Sequence, residues 1–141
     1  DAAGRREGHR RAVQDLGLAD ISATGKFRRE QGYALTERLL AEEPGLDAIF
    51  VGCDLMACGA MQALNAAGRR IPQDVAVVGF DDSVIAECAT PPMSSVHQPV
   101  EEMAAAATRA LVHRQITAHW RAVFPAVLRV RESSARPGSA D

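Results

Sequence analysis

Apolar residues along the chain switch between two rhythms, and the switches mark out the elements. Ala2 to Leu16 places Val13 and Leu16 at helical spacing among polar residues, with Gly17 just beyond as a stop, so an amphipathic helix is predicted there. Ile21 to Thr24 is a short strand candidate. Glu30 to Glu43 carries Tyr33, Leu35, Leu39 and Leu40 and ends at Pro44 and Gly45, which predicts a second helix. Asp47 to Val51 (DAIFV) is a continuous apolar run, the pattern of a strand covered on both faces. A helix over Leu55 to Ala66 follows it and closes at Gly68. After a turn around Pro72, Val75 to Phe80 (VAVVGF) repeats the buried-strand pattern.

Alternating strands and helices predict an α/β fold with parallel strands and right-handed crossovers. Pro91-Pro92 breaks the rhythm, and Ser94 to His97 (SSVH) leads through Pro99 into an alanine-rich helix from about Val100 to Arg114. Ala122 to Val130 alternates β-branched and apolar residues, which predicts a last strand. The tail from Ser133 to Asp141, rich in Ser, Pro and Gly, is expected to fray.

Composition narrows the functional classes. The 141 residues suit one domain with an ordinary core, at 47% hydrophobic residues. A formal charge of −2 without a Lys/Arg run leaves no electrostatic footprint for gripping DNA with this segment alone. No apolar stretch approaches the roughly twenty residues of a membrane helix, and DAAGRREGHRR is unlike a signal peptide, so a cytoplasmic location is expected. The chain opens on Asp1 inside a predicted helix, and an extension upstream is expected. Cys53, Cys58 and Cys88 lack CxxC spacing, so idle thiols are expected in place of a disulfide framework. Structural zinc prefers tight ligand pairs, which these cysteines and His97 do not form. No cofactor is expected.

In a parallel α/β sheet, ligands bind beyond the carboxyl ends of the strands, where loops are free to carry side chains. Asp54 follows DAIFV, and Asp81 with Asp82 follows VAVVGF, so one βαβ unit should bring carboxylates to a common rim. Ionised carboxylates accept strong hydrogen bonds from hydroxyls. Asp54 could equally cap the next helix, and Asp82 reads as a turn acid. Arg5 could hold a ligand oxygen pair or a nearby Asp, or lie on the surface. Phe27, in the polar loop TGKFRREQG, could offer its ring to the apolar face of a sugar or a flat base, or cover a core edge. Catalysis finds no nucleophile elbow, no phosphate-cradling loop and no triad or metal spacing among the histidines. A magnesium site on Asp81 and Asp82 is the enzymatic rival.

RREGHRRAV, KFRREQGY, DAIFVGCDLMACGAMQAL, AAGRRIPQDVAVVGFDDS, TPPMSSVHQPVEEM and LRVRESS follow one another in the order and spacing of a known family. The chain resembles the LacI/GalR transcription regulators over nearly its whole length. DLMACGAMQAL alone also suits the sugar-binding proteins of the periplasm that share the fold, and a transport receptor of that kind is the alternative. The resemblance implies an incomplete parallel-sheet sandwich of the type I periplasmic-binding-protein-like kind, mostly its carboxyl-side lobe. Residues 1–96 would form most of that lobe, 97–124 a crossover and one helix of the amino-side lobe, and 125–141 a return strand and disordered tail. The DNA-reading headpiece would lie outside the chain.

By position, Arg5 and Asp81 match the family's effector-contacting Arg and Asp, Phe27 its ring-stacking aromatic, and Asp54 the Asp of an Asn-Asp pair. Cys53 stands where many sugar-responsive members have Asn, and Lys26 replaces a frequent Asp. The resemblance further implies a small-molecule effector, a sugar or derivative, and a homodimer. Its interface would include Met56, Ala57, Ala60 and Met61 of the helix and the loop from Val84 to Thr90, although one face of that helix must also pack into the chain's own core. Operator DNA would be bound only through the headpiece.

Overall fold

A computed structural model describes residues 2–135 of the chain. Its elements are α1 (Ala2–Asp15), α2 (Arg29–Glu42), β1 (Ala48–Phe50), α3 (Asp54–Ala66), β2 (Ala76–Asp81), α4 (Val84–Cys88), β3 (Ser94–His97), α5 (Val100–Val112) and β4 (Val127–Arg129). The strands form one sheet in the order β1-β2-β3-β4. β1, β2 and β3 run parallel, with Phe50 opposite Val78 and Phe80 opposite Val96. β4 closes the far edge antiparallel to β3.

The core lies between α3, the α2 face opposite it and the sheet. Val51, Met56, Ala57, Ala60, Met61, Leu64, Ile71, Val75, Val77, Ala86 and Met93 form one buried cluster, and each large side chain taken fully out of water contributes about 1.5–3 kcal/mol. Two glycines let the helices meet at backbone distance. A Cβ on Gly32 would fall on the carbonyl of Met56, and a Cβ on Gly59 on the carbonyl of Arg29. α1 and α5 stand outside this core, and most α5 residues are exposed.

Several expectations need correction. Ile21 to Thr24 forms no strand: it lines a cavity of about 420 Å³ whose other wall is Ala48 to Gly52, so β1 lies beyond ladder hydrogen-bonding reach of it. The SSVH stretch is a strand, because its two serines are buried with hydrogen-bond partners that offset their polarity. β4 covers only part of the predicted Ala122 to Val130, since β3 offers it just three partners, from Ser95 to His97. Val84 to Thr90 begins with the short helix α4. The tail does not fray at its start: Ser133 is fully buried, donates from Oγ to the Val77 carbonyl at 2.6 Å and accepts the Val77 amide at its own carbonyl. Residues 136–141 of that tail lie outside the described residues.

Met56, Ala57, Ala60 and Met61, expected at a homodimer interface, are 0–8% exposed and belong to the chain's own core. Small residues on α3 serve its close crossing with α2. The flank of α3 that remains open carries Leu55, at 42% exposure, and Gln62.

Candidate functional site

The carboxyl ends of β1 and β2 open onto a cleft of about 380 Å³ lined by Arg5, Phe27, Cys53, Leu55 and Asp81. Three expected residues thus converge from distant parts of the chain. Arg5 comes from the first turns of α1, Phe27 from the loop before α2, and Asp81 from the last position of β2. The Arg5 guanidinium lies 4.6 Å from the Phe80 ring centroid and 5.4 Å from that of Phe27. The electron-rich ring faces attract the cation and fix its place. Phe80 meets Phe50 edge-on at 6.5 Å, which ties this arrangement to the sheet. Phe27 keeps 51% of its surface open, enough to take a flat apolar face.

Asp81 is half-buried and accepts a hydrogen bond from Gln98 Nε2 at 2.8 Å. Burial pushes its carboxyl above the usual aspartate value and the charge of Asp54 adds to this, while Arg5 and the Gln98 bond pull it back. Its backbone φ is 112°, and that of Asp82 is 53°. Both values lie in a region that residues bearing a Cβ seldom occupy.

Asp54 takes a different place from the other three. It is 1% exposed, and it is the first residue of α3, with Cys53 at the cap position making no side-chain bond. Its Oδ2 accepts the Ser83 amide at 2.7 Å and the Ser83 hydroxyl at 2.9 Å, and its Oδ1 accepts the Ser95 hydroxyl at 2.6 Å. Asp54 therefore braces the loop after β2 from beneath the cleft. Gly79 makes room for it, since a Cβ there would strike Asp54 Oδ1.

Asp82, read as a turn acid, turns inward as well. Its Oδ2 sits 3.0 Å from His97 Nδ1, and its Oδ1 lies 2.7 Å from the Arg131 guanidinium, off the hydrogen-bonding direction, so that contact is an ion pair. Among the described residues no group of His, Cys, Asp or Glu is arranged to hold a metal ion. The cysteines are free thiols, with Cys53 buried at the cleft floor. Gln98, Phe80, Ser83, Ser95 and Arg131 were not singled out in the sequence. Gln98 and Ser95 become visible only once SSVH is known to be a strand, because its carboxyl end then shares a rim with that of β2.

The chain is similar to known proteins over nearly its whole length. The periplasmic binding protein-like domain family matches residues 1–134. The HTH-type transcriptional regulator CelR of Thermobifida fusca is 43% identical over 135 residues, which is 92% of this chain and 40% of CelR. The ribose operon repressor of Escherichia coli K12 is 39% identical over 113 residues, 78% of this chain and 34% of that repressor. The solved transcriptional regulator CelR–cellobiose complex superposes with a TM-score of 0.86 at 43% identity, covering 92% of this chain and 42% of that one. This chain thus spans well under half the length of these regulators. It belongs to the periplasmic binding protein-like domain family.

Proposed function

We propose that this chain is the effector-binding portion of a ligand-responsive LacI-type transcription regulator, and that a sugar or sugar derivative is its effector. The convergence of Arg5, Phe27 and Asp81 on one cleft carries the reading. A sugar presents vicinal hydroxyls and an apolar ring face, and the cleft offers a donor fork, an anionic acceptor and an open aromatic ring to match. CelR, a relative, has been solved with cellobiose, which makes cellobiose the first probe. Asp54 contributes by bracing the rim. The protein acts without a cofactor or catalytic step, in the cytoplasm; no helix among the described residues is long and apolar enough to cross a membrane. Residues up to 96 supply most of one lobe, 97–124 cross to the other, and the described residues from 125 onward return. A homodimer formed in part by the Val84 to Thr90 segment holds two headpieces against the half-sites of an operator. The effector shifts the population between two lobe arrangements through its differential affinity for them.

Asp81→Ala in the full-length protein is expected to raise the effector concentration for half response at least tenfold and to leave operator affinity unchanged. A reporter titration paired with operator gel shifts checks both, and an unaltered titration curve would remove Asp81 from the site. A pH dependence accompanies this. The ionised carboxylate accepts hydroxyls more strongly than the neutral acid, so affinity for cellobiose is expected to fall as pH is lowered, with a midpoint above the ordinary aspartate value because burial raises Asp81. Titration calorimetry from pH 4 to 8 with Asp81→Asn as control should show a flat profile in the variant; an equal slope in both would assign the effect elsewhere.

A further inference from the structure

The two carboxylates at the end of β2 face opposite ways. Asp81 opens to the cleft, while the side chain of Asp82 is 9% exposed and held by His97 of β3 and by Arg131, just past β4. His97 closes β3, which leads to α5, and Arg131 follows β4, which returns from it. Arg131 is itself fixed, its guanidinium donating to the Met93 carbonyl at 2.9 Å and its amide to Ser94 Oγ at 2.7 Å. The Asp82 amide donates to Ser95 Oγ at 3.0 Å. These anchors surround two consecutive residues with positive φ, a conformation that persists only where the surroundings over-determine it.

We propose that Asp82 and Arg131 are positioning residues for the effector site. Their buried ion pair, with His97 as second partner, clamps the turn in the left-handed backbone that aims Asp81 at the cleft and at Gln98. A consequence follows for coupling. The clamp joins the cleft rim to the strands leading to and from α5, so a change in how Asp81 is engaged reaches them through one rigid turn. The role of Asp81 as effector ligand is taken from the reading above, whereas the clamp itself rests on the turn geometry.

The test compares Asp82→Ala, Asp82→Gly and Arg131→Gln in the full-length regulator, with cellobiose as the probe. Calorimetry is expected to show at least a tenfold rise in Kd for Asp82→Ala and Arg131→Gln. Asp82→Gly should lose less than half as much on a logarithmic scale, because glycine adopts positive φ freely. If the pair served stability alone, Tm would fall in the variants while Kd for cellobiose stayed at the parental value in all of them. Crystal structures of the unliganded variants give a readout independent of any effector: in Asp82→Ala, residues 81 and 82 should leave positive φ and the Gln98–Asp81 bond should break. Parental Kd values in all three variants, beside an impaired Asp81→Ala, would overturn the clamp and leave the effector reading intact. Failure of the parent to bind cellobiose would remove that sugar as effector, and the φ angles would then decide: if they are retained in Asp82→Ala, the proposal is overturned.

Discussion

Gly59→Ala is expected to destabilise the protein by about 3–4 kcal/mol, although in an exposed helix the same change would stabilise by up to about 1 kcal/mol. The sign is decided by what the new methyl meets. It would overlap the Arg29 carbonyl and approach the Tyr33 amide at 2.8 Å, and both are backbone atoms of α2 that no rotamer change can move aside. Relief requires α2 and α3 to separate. Met56, Ala57 and Ala60 would then lose contact across the crossing, and overpacking of this kind typically costs about 1–3 kcal/mol before such losses are counted. Gly32 faces Met56 in the reciprocal way, so the helices cannot slide to spare one site without burdening the other. Gly8→Ala is the control, because a Cβ there meets nothing within 4 Å on an exposed turn of α1. Urea midpoints should fall sharply for Gly59→Ala and hold or rise for Gly8→Ala; equal midpoints would mean that the helices are not in backbone contact.

The crossing also shows where the sequence was legible and where it was not. Continuous apolar runs located β1 and β2, and helical spacing with Gly and Pro stops located α1, α2 and α3, because burial imposes those periods directly, while α5 was marked by its alanine-rich composition. β3 escaped because its buried residues are serines, whose polarity is offset by partners as distant as the Arg131 carbonyl and Asp54. Ile21 to Thr24 has a strand's composition, but a strand needs a neighbour within ladder distance, and a cavity stands there. The small residues of α3 signalled close packing correctly, yet nothing in their spacing states whether the opposing surface belongs to the same chain or to another.

The candidate site was legible in part for the same reason. Asp81 ends a strand, where a strand-end rule finds it, whereas Arg5 on α1 and Phe27 in a polar loop were tied to the site by the family resemblance. Asp54 obeys that rule equally well but faces inward, and its direction is set by Ser83 and Ser95, 29 and 41 residues further along. Of the residues that hold Asp82, His97 becomes a neighbour of β2 through the pairing of β2 with β3, and Arg131 only through the further pairing of β3 with β4.

Asp54→Ala is expected to cost about 3–5 kcal/mol and to abolish the effector response together with it. The carboxylate is fully buried and takes three donors, two of them from Ser83, and hydrogen bonds to a charged group are worth about 1.5–3 kcal/mol each. Alanine removes the acceptor and leaves the half-buried Ser83 amide without this partner. A hydroxyl can turn to find another acceptor, but an amide cannot, so the loop after β2 must shift and take Asp81 with it. Asp54→Asn keeps the volume and one acceptor oxygen and should cost about half as much, which separates the charge from the shape. Gly79 supplies the decisive check. Its absent side chain is required because a Cβ would strike Asp54 Oδ1, so Gly79→Ala should be strongly destabilising in the parent and much less so alongside Asp54→Ala. Met93 Sδ, 3.2 Å from the same point, sets the residual cost, since a flexible thioether can yield. A double-mutant cycle by urea denaturation should therefore give a coupling of about 1–3 kcal/mol. Strict additivity would mean that the two residues do not touch, and the brace beneath the cleft would have to be assigned to other atoms.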